Sequence, residues 1–170
     1  MKKIILTAVV ALVTFSCQQN KIAFVDNTKL INEYQEKIDI EAKYKTKIET
    51  FDKKTDSLSK AFQSEAQSFE SEAKSLPQAK AQEKYNALLQ KRQMMGQQLQ
   101  MEEQQLSQES QKEIDSLIKK VRSFVQDYGK KQGYTFVLGS NDAGSVLYGE
   151  ESKDITSDVL KALNDDYKAK

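Results

Sequence analysis

Few residues in this chain are of a type that does chemistry. There is no histidine and only one cysteine, Cys17. Carboxylates are plentiful, but pairs such as Glu102 and Glu103 fall in a stretch that reads as exposed helix, with no pocket to shift their pKa values. No glycine-rich phosphate cradle is present. Acid–base, nucleophilic and metal chemistry therefore lack their usual groups, and the sequence predicts a non-enzyme with no cofactor and no metal site. The one side chain placed for chemistry is the Cys17 thiol. It follows a charged start (Lys2, Lys3), an apolar run from Ile4 to Phe15, and Ser16. A cysteine directly after such a run belongs to a processing site rather than to a catalytic one.

The apolar run is too short to span a bilayer as a stop-transfer helix, so residues 1–17 read as a signal peptide. The end of that segment resembles the lipobox of bacterial lipoproteins, with Cys17 as the lipidated N-terminus, although Thr14 stands where leucine is common. The alternative is an ordinary signal peptide that contains a cysteine. A lone cysteine permits no intramolecular disulfide. The full chain has 26 basic and 25 acidic residues, and loss of Lys2 and Lys3 leaves 24 against 25, a formal charge of −1. That balance gives no electrostatic footprint for nucleic acid.

The elements that carry these residues are long. From Thr28 to Tyr128 the chain has one proline, Pro77, and one glycine, Gly96. Such depletion predicts helix, and the break near the middle predicts two helices folded back on each other. Apolar positions recur at steps of three and four: Tyr44, Ile48, Phe51, Thr55, Leu58, Phe62, Ala66, Phe69, Ala73 and Leu76 on the first arm, and Ala81, Tyr85, Leu88, Arg92, Met95, Leu99, Glu103, Leu106, Ser110, Ile114, Leu117, Val121, Phe124 and Tyr128 on the second. That is a heptad-like seam. In an antiparallel hairpin, facing residue numbers have a constant sum. Ile48 with Leu106, Phe69 with Tyr85 and Ala66 with Leu88 share the sum 154, and Leu58 with Met95 misses it by one. Ile48, Leu58, Phe69, Tyr85, Leu88, Met95, Leu99 and Leu106 are the expected seam, with a turn near Pro77. There Ser75 and Gln78 read as a capping box, with Pro77 in the first turn of the second helix. Each arm is expected to be about 65–70 Å long.

The seam is thin, interrupted by Thr55, Arg92, Glu103 and Ser110. Gly96 costs roughly 1 kcal/mol relative to alanine inside a helix, and reads either as a hinge or as a tolerated glycine. The stretch from Gln93 to Gln111 is glutamine-rich, has no basic residue and carries Met94, Met95 and Met101.

The remaining parts are β-rich. Lys21–Asp26, Tyr134–Leu138 and Ser145–Tyr148 alternate as strands, the last two joined as a hairpin through Gly139–Gly144. Thr156 is expected to cap a short helix running through Ala169, with Ile155 and Leu160 placed as a hydrophobic staple. Phe136 and Leu138 lie on one face of their strand and Val137 on the other. Burial on both faces predicts a core shared between subunits, closed into a barrel that leaves no open edge.

The order of parts resembles the Skp/OmpH family of periplasmic chaperones for outer-membrane proteins. The residues that carry the resemblance are Lys21-Ile-Ala-Phe-Val-Asp26; Gly133-Tyr134, Val137-Leu138 and Val146-Leu147-Tyr148; and Asp154-Ile155-Thr156 with Val159, Leu163 and Asn164. The resemblance covers about residues 21 to 168. It implies an α+β protein: a long antiparallel coiled-coil hairpin on a small β head that trimerises into a shared barrel. Residues 18–33 are then the first part of the head and the start of the long helix, 34–128 the tentacle, and 129–170 the rest of the head. Phe24, Val25, Phe136, Val137, Leu138 and Leu147 become the trimer residues. The implied activity is ATP-independent holding of unfolded outer-membrane β-barrel proteins between the tentacles of a homotrimer in the periplasm. Phe51, Phe62, Met94 and Met101 are then the candidates for client contact, Met94 and Met101 reading equally as inert surface. A lipidated Cys17 implies a membrane-anchored form. Family members are often strongly basic, whereas this mature chain is near neutral, which shifts weight from charge to apolar contact. The alternative reading is a periplasmic structural or adaptor lipoprotein with the same fold and no chaperone activity.

Overall fold

The computed structural model describes residues 20–141 and 144–169; Cys17 and the rest of the leader lie outside the described residues. Strand β1 (Ile22–Asp26) leads into the short helix α1 (Asn27–Asn32) and then into α2 (Gln35–Ala73). Helix α3 (Gln78–Lys131) returns, followed by β2 (Phe136–Ser140), a 3₁₀ turn at Glu151–Lys153 and helix α4 (Thr156–Lys168). At 39 and 54 residues, α2 and α3 are about 60 and 80 Å long. The arms are therefore unequal, because α3 runs on to form one wall of the head.

The expected single break in the helical stretch is in fact two. The first arm breaks at Glu33–Tyr34, with no glycine or proline there. Tertiary contacts cause it: Leu30 and Tyr34 are both buried in the head, and the Gln35 N–H donates to the Asn164 side chain at 2.9 Å. At the tip the capping box does not form. The Ser75 hydroxyl donates back to the Glu72 carbonyl at 2.8 Å and closes the first arm, while Pro77 stays extended just ahead of α3.

The β part differs from the expected hairpin. β1 and β2 pair in parallel, Ile22 opposite Phe136 through Asp26 opposite Ser140. Parallel strands need a long crossover, and here the crossover is the whole helical hairpin. Residues 144–148 form no strand, and Leu147 and Tyr148 are almost fully exposed. The other edge of β1 is taken by Asp154–Ile155, whose Ile155 N–H donates to the Phe24 carbonyl at 3.0 Å. Alternation placed β1 well and β2 two residues early, since the strand runs through Gly139 and Ser140, and it carries no information about which partner an edge finds.

The core joins Ala23 and Val25 of β1 to Leu117 and Val121 of α3 and to Ile155, Val159 and Leu163 around α4, all buried. Thr156 is the first residue of α4 rather than its cap. Its buried hydroxyl accepts from the Asp26 N–H at 2.9 Å and donates to Asp154, whose carboxylate also takes the Thr156 N–H at 2.8 Å. The Asp154-Ile155-Thr156 segment thus ties the last helix to the end of β1.

Candidate functional site: the hairpin flanks and the open face of the head

The heptad row forms the seam between α2 and α3. Leu58, Phe69, Leu88, Met95, Leu99 and Leu106 are half-buried, as are Phe51 and Phe62. Phe69 and Tyr85 meet at 6.4 Å between ring centroids, the expected register. Ile48 and Tyr85 remain about half exposed, at 49% and 48%. Two helices alone have no third layer to cover the sides of such a row.

One flank of the seam is clasped by ion pairs. Lys120 pairs with Glu36, Lys43 with Glu113 (2.6 Å), Lys47 with Glu109 (2.9 Å), Lys54 with Glu102 (2.5 Å), Lys91 with Glu65, and Lys84 with Glu72 (2.7 Å). In each pair the two residue numbers sum to 156. A constant sum means that the register does not slip between head and tip. The polarity of the pairs reverses along the hairpin. Lysine is on α3 at the root, on α2 in the middle and on α3 again toward the tip, so a register shift sets like charges together. These pairs were not foreseen from the sequence. The signal was present, since oppositely charged residues flank the seam at a constant sum.

The pairs shift their own protonation. The Lys43 ammonium, with help from the Tyr44 hydroxyl, holds the Glu113 carboxyl below the usual glutamate range. Lys47, and then the Gln105 amide, do the same for Glu109. The Glu109 hydrogen bond in turn raises Lys47. Burial, then the hydrogen bond to Glu113, pushes the Tyr44 hydroxyl up. Nearer the head, burial first and the Glu36 hydrogen bond second push up the Tyr34 hydroxyl. Lys120 lies over the rings of both Tyr34 and Tyr167, one further contact between the root of the hairpin and the head.

A groove of about 400 Å³ lies between the arms near their root, lined by Tyr44, Ile48, Phe51, Leu106, Ser110 and neighbouring polar residues. Its only charged residues are the acids Asp52 and Glu103, and no cation lines it. Apolar surface is open there, not covered by paired charge. Of the methionines, Met94 and Met101 are well exposed, at 58% and 64%, and Met101 borders the ion-paired flank beside Glu102 and Glu109.

The head has its own uncovered face. Period-two alternation turns Ala23, Val25 and Val137 inward and Ile22, Phe24, Phe136 and Leu138 outward. Val25 is therefore part of the protomer's own core, and Val137 packs beside it against Gly129. Phe24 is half-buried, with Gly149 set against its ring so closely that a Cβ there would lie 2.4 Å from it. Phe136, Leu138 and Leu147 are exposed, at 55%, 44% and 92%. Among the described residues no cluster of acidic, cysteine or histidine side chains is arranged to hold a metal ion.

The model of the outer membrane protein (OmpH-like) family matches residues 21–163. The fold also superposes on a crystal structure from Caulobacter crescentus CB15, provisionally described as an outer membrane chaperone (OmpH-like). The TM-score is 0.77 at 15% sequence identity, covering 89% of this chain and 88% of that one. At that identity the likeness carries the fold. No curated protein matches the chain.

Proposed function

The chain belongs to the OmpH-like outer membrane protein family, and on that premise we propose that it is an ATP-independent holdase of the periplasm for unfolded outer-membrane β-barrel proteins. The observation that carries the reading is the groove at Tyr44, Ile48, Phe51 and Leu106, where apolar surface lies open between the arms with no cation among its lining residues, unlike the clefts bordered by the Lys–Glu pairs. Unfolded β-barrel segments expose apolar side chains that need cover but must be released again. Several weak contacts along flexible arms give reversible binding through multivalency. A protein that binds the unfolded client preferentially keeps it from aggregating. Phe51 and the exposed Met94 and Met101 supply adaptable apolar surface, and methionine suits varied partners.

The open face of Phe136 and Leu138, together with exposed Leu147 and Tyr148, supports a homotrimer in which three heads share a barrel. Three hairpins then surround a common cavity. A lipidated Cys17 would hold the assembly at a membrane. The test is light scattering during dilution of a urea-unfolded β-barrel protein. The mature chain is expected to suppress aggregation at one trimer per client, and Ile48→Ser/Phe51→Ser to weaken suppression without loss of helicity. Absence of suppression by the wild type would sink the chaperone reading and leave a structural or adaptor role.

A further inference from the structure

The groove near the root of the hairpin exists because α3 offers polar residues where α2 offers apolar ones. By the constant sum of 154, Ser110 faces Tyr44, Leu106 faces Ile48 and Glu103 faces Phe51. A serine is too small to cover a tyrosine ring. A carboxylate at a seam position stays in water, because burying its charge is costly. Glu103 is accordingly exposed and Ile48 remains 49% exposed, so apolar surface lies open between Ser110 and Glu103.

The charges around this opening are one-sided. Glu103 on α3 and Asp52 on α2 both line the groove, at its end nearer the hairpin tip. Among the described residues neither carboxylate has an ion-pair or hydrogen-bond partner, and Glu49, one turn nearer the root, is a third acid without one. The cations nearby are otherwise placed. Lys43, Lys47 and Lys54 pair with Glu113, Glu109 and Glu102. Lys45, Lys53 and Lys112 lie outside the groove lining, and α3 has no basic residue from Gln93 to Gln111. Elsewhere along the hairpin an acid on one arm meets a lysine on the other at a constant sum, and here that matching fails.

We propose that the groove docks extended client segments in which a lysine or arginine stands two residues from an apolar side chain. The inference rests on the holdase reading above, which supplies an unfolded chain as the occupant, and adds what that chain must present. In an extended segment, residues i and i+2 point the same way, about 7 Å apart. Ile48 and Asp52 are one turn apart on α2, about 6 Å along its axis. An aliphatic or aromatic side chain seated on Ile48 and Leu106 therefore brings a cation at i+2 or i−2 to Asp52 and Glu103. Apolar burial holds the segment, and the cation meets carboxylates that have no other partner. An acidic segment of the same shape meets like charge instead, so the groove discriminates as well as binds.

The test is fluorescence anisotropy of the mature chain with labelled peptides of repeated Phe-Ser-X, where X is lysine, glutamine or glutamate. A further peptide has the lysine composition but gathers its lysines at one end. At low salt the repeated lysine peptide should bind roughly three- to tenfold tighter than the glutamine one, as two exposed ion pairs allow, with glutamate weakest. Gathering the lysines at one end should remove most of that gain, although net charge is unchanged. Asp52→Asn/Glu103→Gln should bring lysine and glutamine peptides to within about twofold. Asp52→Lys/Glu103→Lys should reverse the order, which a merely misfolded arm does not do. Glu70→Gln, which removes an exposed acid nearer the tip, should leave the order as it is. Equal binding of the lysine and glutamine peptides by the wild type, or a preference that survives Asp52→Asn/Glu103→Gln, overturns the proposal. A change in sedimenting mass on that substitution puts a second copy of the chain in the groove and also overturns it. Suppression of aggregation by a wild type that binds all the peptides alike overturns this inference alone. Failure to suppress aggregation overturns the holdase reading, and with it the client as occupant, whatever the peptides show.

Discussion

The root of the hairpin and its outer two-thirds follow the same heptad row, yet they are held together differently. At the root Tyr34, Leu117 and Val121 are fully buried, because α4 and the strand pair lie over them as a third layer. Between residues 45 and 116 no side chain is buried. There the seam is half-covered and the clasp is a row of partly exposed Lys–Glu pairs, each worth little on its own. A repeat sets the register everywhere, but burial requires a third layer, and only the head supplies one. The outer arms are thus the part of the molecule that opens at low cost, as a reversible clasp needs.

The most direct way to break that comparison is to delete the same side chain in both regions. Leu117→Ala should cost about 2–5 kcal/mol in urea unfolding, the range for fully buried leucines. Leu99→Ala, half-buried on the same row, should cost roughly 1 kcal/mol, since much less apolar area is lost. Equal costs would mean that the outer seam is covered by something outside the protomer. A cross-link tests the outer arms from the other side. In a Cys17→Ala background, Leu58→Cys/Met95→Cys should oxidise to a disulfide and raise stability by about 3–4 kcal/mol through loop closure. A band that keeps its reduced mobility on a non-reducing gel would refute the mid-arm register.

The helical parts were legible because periodicity and the scarcity of Gly and Pro are local signals. Of the row from Tyr44 to Leu76 every residue but Ile48 is at least partly buried, and Phe69 meets Tyr85, itself half exposed, across the seam. What local pattern does not carry is the choice among long-range partners. Tyr134–Leu138 reads as one arm of a hairpin with Ser145–Tyr148, yet β2 finds β1 more than a hundred residues earlier, and Asp154 takes the other edge. Ser75 and Thr156 have cap-forming side chains, but each hydroxyl is claimed by a neighbouring carbonyl or carboxylate. The break at Tyr34 has no local cause at all; it follows from burial of that ring in the head. Of the candidate site, the exposed methionines were readable and the groove at Tyr44 and Leu106 was not, since it depends on how two flanks of one seam are dressed.

Acid sharpens the comparison by acting on the clasp before the core. Glu109 and Glu113 have folded pKa values held below the ordinary glutamate range by Lys47 and Lys43. A depressed carboxylate contributes stability above its unfolded pKa and loses it as pH falls through the folded value. Lys47 is shifted upward, so its contribution is lost only on the alkaline side. Between about pH 5 and pH 3 the mid-arm clasp should therefore loosen. Nitroxides at Thr46 and Gln111 should show a broadened distance distribution over that interval. The head, with its core of Val159, Leu163 and Leu117, should keep its urea midpoint better than the arms keep their spacing. Parallel loss of both would show that the arms have no independent freedom.

The smallest effect is also the one most specific to the outer arms. Gly96 lies inside α3, and a Cβ built on it meets nothing within 4 Å. Alanine there removes the backbone entropy that glycine loses on folding and introduces no clash, so Gly96→Ala should raise stability by about 0.5–1 kcal/mol. Hydrogen exchange should place that gain in the turns of α3 around Met95 and Leu99 and not in Leu117 or Val121. Stability alone does not separate a tolerated glycine from a hinge, but client holding does. If the arms bend at Gly96 to fit clients, the more stable variant suppresses aggregation less well than the wild type. If the glycine is merely tolerated, suppression is unchanged or improved, and the freedom of the outer arms comes from their thin seam alone.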